Sequence, residues 1–166
     1  GAAKCGGNYA ASMIAQTEGE KHGCKQVIFK DPHRGDAIEE LGGMNVFFIF
    51  GKENKIVTPE LTGTILEGVT RSSLIQLAKD RGMTVEERAI TLTEWREGVA
   101  NGDITEIFAC GTAAVVAPIG KLKAEDFEIP APTEHFGEIS KSLREELVGI
   151  QLGTVEDRHG WMTRLI

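Results

Sequence analysis

Four short stretches carry side chains that could do chemistry. The first is Gly1-Ala2-Ala3-Lys4-Cys5-Gly6-Gly7-Asn8-Tyr9, with an amine on a run that could be a strand, two glycines that let the backbone turn, and a phenol beyond them. Such a turn could aim Lys4 and Tyr9 at one small object. An aldehyde cofactor there would join the amine as an imine, and the phenol would hydrogen-bond beside it. On spacing alone, a lysine before two glycines is ordinarily a solvated surface residue. The second stretch holds the adjacent carboxylates Glu39 and Glu40 ahead of Leu41-Gly42-Gly43-Met44-Asn45. Neighbours on a strand point to opposite faces, so at most one of the two reaches the interior, and the ordinary reading is that both are solvated.

The third stretch, Gly63 to Arg71, is a glycine-containing loop that feeds a helix. Free backbone N–H groups and the positive end of the helix dipole suit a phosphate there, although the spacing matches neither a P-loop nor a G-x-G-x-x-G fingerprint. The fourth, Cys110-Gly111-Thr112-Ala113-Ala114, is a small-residue turn between two buried strands. A ligand could approach its backbone closely and meet the Thr112 hydroxyl, and a tight connection with no ligand is equally consistent.

The elements that must position these stretches follow from periodicity. Ala10, Ala11, Met13, Ile14 and Ala15 predict a helix over 8–21, with Gly23 as its stop. Buried strands are expected over 26–30 and 46–50, a hairpin partner over 36–41 after the turn Asp31-Pro32-His33-Arg34-Gly35, and a short strand over 55–58 closed by Pro59. Leu74, Ile75, Leu77 and Ala78 give a helix that stops at Gly82. A strand over 83–90 precedes a helix capped by Thr91 or Thr93 and ended by Asn101-Gly102. Strands over 104–109 and 115–119 flank the fourth stretch. Residues 121–134 read as a polar surface loop, 140–149 as an amphipathic helix, and the tail 151–166, with Trp161, as packing onto the body.

The chain has 166 residues, 41% apolar and 26% charged, with 20 glycines at the ends of apolar runs, which suits an α/β (α+β) body with many short connections. A formal charge of -7 without a Lys/Arg cluster argues against a nucleic-acid partner. No apolar run is long enough to span a bilayer and no leader is visible, so a cytoplasmic protein is expected. Cys5, Cys24 and Cys110 lack metal or disulfide spacing and the histidines are scattered, so no metal site is expected.

As a set, Lys4 to Tyr9, Glu40-Leu41-Gly42-Gly43-Met44-Asn45-Val46-Phe47, Leu66-Glu67-Gly68-Val69-Thr70-Arg71 and Cys110 to Ala114 resemble the branched-chain amino-acid aminotransferases. These are fold-type IV enzymes that use pyridoxal 5′-phosphate (PLP). The tail through His159-Gly160-Trp161-Met162 is also similar. The resemblance implies a mixed-sheet pseudo-barrel flanked by helices, with residues 1–166 forming one cofactor-binding domain and a smaller domain ahead of the lysine missing from this chain. It implies amino-acid and 2-oxo-acid substrates (leucine, isoleucine and valine with 2-oxoglutarate) and a homodimer.

Carried over by residue, the resemblance makes Lys4 the Schiff-base lysine and the base at the substrate Cα. Tyr9 would bond the ring oxygen, Glu40 would pair with the pyridine nitrogen, and Leu66 would pack on the ring. The amides of Val69 and Thr70 and the side chain of Thr112 would hold the phosphate, while Thr112, Ala113 and Ala114 would present N–H groups to the substrate carboxylate. Glu39 would face away. Some animal members carry two cysteines at positions matching Ala114 and Ala117, so no thiol switch is expected. Two alternatives stand beside this reading: a D-amino-acid aminotransferase or aminodeoxychorismate lyase of the same fold group, and a non-catalytic half-enzyme module.

Overall fold

Short apolar runs broken by turn residues fold the chain back on itself many times. The computed structural model describes residues 2–133 and 135–165. Gly1, Glu134 and Ile166, which belong to the lysine stretch, the polar loop and the tail, lie outside the described residues. The helix α1 (Gly6–Lys21) is followed by strands β1 (Ile28–Lys30), β2 (Ile38–Leu41), β3 (Asn45–Phe50) and β4 (Lys55–Thr58). Next come α2 (Val69–Asp80), β5 (Thr84–Glu87), α3 (Leu92–Ala100), β6 (Ile104–Gly111) and β7 (Val115–Pro118). The small strands β8 (Leu122–Lys123) and β9 (Glu128–Ile129) precede the helix α4 (Glu138–Gln151).

The main sheet has five strands in the order β5-β4-β3-β6-β7. Only the β4–β5 pair is parallel, so the sheet is mixed. β2, paired antiparallel with β1, lies outside this sheet and touches it at two places. At one end Ile38 donates to the Ile90 carbonyl and Ala37 bridges Thr91, both beyond β5. At the other end Leu41 bridges Met44, and the chain turns directly into β3. The body is therefore a mixed sheet with β2 laid along one end and helices packed on its faces.

β3 is buried along its whole length because both faces of the sheet are covered. Alternation sends Phe47 and Ile49 to one face, where they meet Leu74 and Leu77 of α2 and Leu143, Leu147 and Ile150 of α4. Val46, Phe48 and Phe50 go to the other, with Ile90, Trp95 and Ile107. The cross-strand partners Phe47 and Phe108 stack with ring centroids 5.1 Å apart, and Phe48 meets Trp95 edge-on at 5.1 Å.

Several expectations need correction. Residues 2–5 form no strand, and Gly6 and Gly7 begin α1 instead of making a sharp turn. None of the apolar residues of α1 is buried, and Ile14 is 80% exposed. Val27, Ile28 and Phe29 are half-buried, because β1 lies outside the five-stranded sheet. The strand after Gly82 is only Thr84–Glu87, although Arg88 still donates to the Thr58 carbonyl beyond it. The polar loop contains the β8–β9 hairpin, held by one apolar pair, Leu122 opposite Ile129. The tail is tied down mainly by charge: Arg158 pairs with Glu146, and His159 Nε2 lies 2.6 Å from Asp80 while stacking on Trp161.

α4 is capped from outside its own sequence. Gly137, just before it, has no side chain, and the buried carboxylate of Glu106 accepts from the amides of Ile139 at 2.9 Å and Ser140 at 2.8 Å. A Cβ at residue 137 would collide with that carboxylate, so the glycine and the acid are one device. Glu106→Ala leaves two amides without their charged acceptor, and stability should fall by about 2 kcal/mol, read as a lower urea midpoint at neutral pH.

Candidate active site

One end of the sheet gathers most of the singled-out residues. β3 starts at Asn45, directly opposite Cys110 near the end of β6. β4 ends at Thr58, whose Oγ1 donates to the Val46 carbonyl at 2.7 Å, and Thr58 sits opposite Glu87 at the end of β5. β2 ends at Leu41, so Glu40 reaches the same end.

Glu40 is half-buried, and its Oε2 accepts from the Leu66 amide at a long 3.5 Å. Burial pushes its carboxyl up to about 7; the Leu66 amide opposes that rise and the nearby Glu39 carboxylate adds to it. This acid lacks a strong cationic or donor partner among the described residues. Glu39 faces the other way from Glu40, but that face is covered as well, against the expectation that at most one of the two acids reaches the interior. It is half-buried too, and its Oε1 is buried with no hydrogen-bond partner among the described residues. It borders a cavity of about 10 Å3, room for roughly one water, together with Asp31, Arg34, Pro59 and Ile65. Both faces of β2 are therefore covered at this point, because the segment before α2 sends Ile65 toward one acid and the Leu66 amide toward the other.

α2 starts at the same end. Gly68 precedes it and provides no side-chain cap, so the first amides of the helix, those of Val69 and Thr70 among them, keep their donors open toward the positive end of the dipole. Thr70 is buried and the Val69 side chain is exposed. Arg71, 3% exposed, fixes this turn by donating through Nη2 to the Pro59 carbonyl and to Glu87, each at 2.9 Å. The sequence reading gave Arg71 no role; an arginine on the first turn of an otherwise neutral helix face was the available signal.

The turn 112–114 lies beside Met44, since a Cβ on Gly111 would sit 3.3 Å from Met44 Cγ. Thr112 and Ala113 are exposed and Ala114 is half-buried. Val115, which closes the turn, has φ of 58°, a conformation that is costly for a β-branched residue and holds the turn in one shape. Cys110 is buried, and burial pushes its thiol up to about 12.

The segment that carries Lys4 and Tyr9 approaches this end at Ala2. The Ala2 amide donates to the Gly63 carbonyl at 3.2 Å, in the loop leading to Leu66. Gly63, at φ of 90°, makes the turn that presents that carbonyl. Lys4 is exposed and Tyr9 half-buried. Glu40, Leu66, Val69, Thr70 and the turn 112–114 thus share one region, and the structure does not bring the Lys4 and Tyr9 side chains into contact with it. A larger cavity of about 350 Å3, lined by Thr91, Glu97 and Asn101 among others, contains none of the candidate residues. No helix among the described residues is long and apolar enough to cross a membrane, and no group of three or more His, Cys, Asp or Glu among them could hold a metal.

Residues 3–122 match the amino-transferase class IV family. The chain belongs to that family. Among curated relatives of this class IV chain, the branched-chain-amino-acid aminotransferase of Mycolicibacterium smegmatis is 52% identical over 99% of the chain and 45% of the relative. A probable branched-chain-amino-acid aminotransferase of Streptomyces coelicolor is 50% identical over 99% of the chain and 45% of the relative. The crystal structure of the Escherichia coli branched-chain amino acid aminotransferase superposes with a TM-score of 0.82 and 29% identity, covering 98% of this chain and 49% of that one. The enzyme from Thermobaculum terrenum, solved in its PLP-form, gives a TM-score of 0.77 and 31% identity over 96% of this chain and 48% of that one. The class IV chain therefore has the fold-type IV architecture, and it spans about half the length of the relatives it matches.

The raised carboxyl of Glu40 has a measurable consequence. Between the ordinary value of 4.5 and about 7 the folded state holds a proton that the unfolded chain has released, so stability falls as pH rises through that window. Glu40→Gln removes this dependence. In the cofactor-free protein it should unfold later than wild type at pH 8, by an amount on the order of 1 kcal/mol after allowing for solvent screening. The two should converge at pH 4.5 and below, read from denaturant midpoints.

Proposed function

We propose that residues 1–166 are the cofactor-binding domain of a PLP-dependent aminotransferase that exchanges the amino group of leucine, isoleucine or valine with 2-oxoglutarate. The rest of the relatives' length would complete the site. The observation that carries this reading is the half-buried Glu40 carboxyl, raised to about 7 and joined through Leu66 to the open amides at the start of α2. Acid and anion site lie about one short segment apart, which fits a flat heterocycle with a basic nitrogen and a phosphate tail. The relatives named above support the substrate class.

When bound, PLP supplies a carbonyl that captures amines and a ring that accepts electrons. Lys4 would hold the cofactor through its Nζ and, as a free amine, move the proton at the substrate Cα. Glu40 would keep its charge beside a protonated ring nitrogen, which gives the half-buried carboxylate the partner it lacks. Tyr9 would donate its hydroxyl proton to the ring oxygen, and Leu66 would pack on one ring face. The Val69 and Thr70 amides and Thr112 Oγ1 would bind the phosphate, and the Ala113 and Ala114 amides the substrate carboxylate.

A cytoplasmic homodimer is part of the proposal. The exposed Met13 and Ile14 of α1 leave apolar surface for burial against another chain. Sedimentation of the protein carrying this chain solely as monomer would rule the dimer out.

Borohydride reduction of that protein after PLP addition, followed by peptide mapping, should place the pyridoxyl group on Lys4, and L-leucine should be a far better amino donor than D-alanine. Label on a different lysine would overturn the site, and a preference for D-alanine would overturn the substrate class.

A further inference from the structure

Asn45 is a buried polar side chain that the proposed chemistry does not use. Only 6% exposed, it opens β3 and donates through Nδ2 to the Leu66 carbonyl at 3.0 Å. The same carbonyl accepts from the Gly68 amide at 2.8 Å, closing a tight turn of three residues. The Leu66 amide, in turn, donates to Glu40. Both polar groups of one peptide segment are therefore held by side chains of β2 and β3, one by the acid and one by Asn45.

Gly68 reports on the same contact independently. Its backbone, at φ of -64° and ψ of 130°, is open to any residue, so conformation does not demand glycine. Space does: a Cβ there would fall inside the van der Waals radius of Asn45 Oδ1, with the Arg71 Cβ 3.4 Å away on another side. The start of α2 is seated directly on the Asn45 amide. Because Asn45 is also opposite Cys110, the same residue links β3 to the strand that leads into the turn 112–114.

We propose that Asn45 is a positioning residue: it seats the Leu66–Gly68 turn on β3 and so fixes the spacing between Glu40 and the phosphate-binding amides of α2. This rests on the functional reading above. A ligand with both a ring nitrogen and a phosphate senses that spacing, whereas pyridoxal, which has no phosphate, does not.

The test uses Asn45→Asp, which sets an acceptor against the Leu66 carbonyl, and Gly68→Ala, which forces the turn off the amide, in the protein that carries this chain. The dissociation constants of PLP and pyridoxal and the hydrogen exchange of the 66–68 amides without cofactor are measured for each. Both substitutions should narrow the preference for PLP over pyridoxal about tenfold and speed exchange at 66–68. Gly68→Ala should do less harm when combined with Asn45→Ala, because the clashing oxygen is gone. Glu106→Ala, which removes the acceptor that caps α4, serves as a control for general destabilisation and should leave the preference unchanged. A preference within twofold of wild type in both variants, or a shift equal to that of the control, overturns the proposal. Should wild type bind neither probe, the functional reading fails and the ligand-spacing role with it. The exchange data would then still show whether Asn45 seats the turn.

Discussion

The hydrogen bond from the Leu66 amide to Glu40 is long, and the acid it reaches is half-buried beside a second acid. That is an unfavourable place for a carboxylate, and the raised value near 7 expresses the cost. Everything around it is nevertheless built to keep it there. β2 is tied at one end to residues 90 and 91 and at the other turns at once into β3, so Glu40 cannot withdraw without breaking those attachments. In the proposed function a group held in that way takes its cationic partner from outside the chain, the protonated ring nitrogen of PLP.

The second constraint is that strand ends converge. The antiparallel register of β3 on β6 and the parallel register of β4 on β5 bring Asn45, Cys110, Thr58 and Glu87 to one edge, and Arg71 and Asn45 then bolt α2 onto that edge. The apolar packing behind it, with Phe47 on Phe108 and Phe48 on Trp95, supplies the rigidity. Loop residues such as Leu66 and Thr112 thus derive their placement from a sheet that is buried on both faces.

Much of this was legible in the sequence where local chemistry decides structure. The strand Lys55–Thr58 and the helix ended by Asn101-Gly102 appear as expected, and of the two possible caps Thr91 is used, accepting from Glu94. The grouping of Glu40, Leu66 and the start of α2 followed from motif resemblance, not from periodicity. Local reasoning failed where a residue's partner is distant in the chain. Gly6 and Gly7 looked like a turn, yet glycines are also tolerated in a first helical turn, and nothing nearby restricts them. The β8–β9 hairpin hid in a polar stretch because it needs only one buried isoleucine. Asn45, Gly68 and Glu106 do their work across separations that no spacing rule covers.

The most direct test is a 13C carboxyl NMR titration of Glu40 in the protein that carries this chain, with and without PLP. Without cofactor the carboxyl should titrate near 7, and adding PLP should move its midpoint downward as the ring nitrogen becomes its partner. A carboxyl that titrates near 4.5 in both samples would contradict the burial, the pairing and the site built on them.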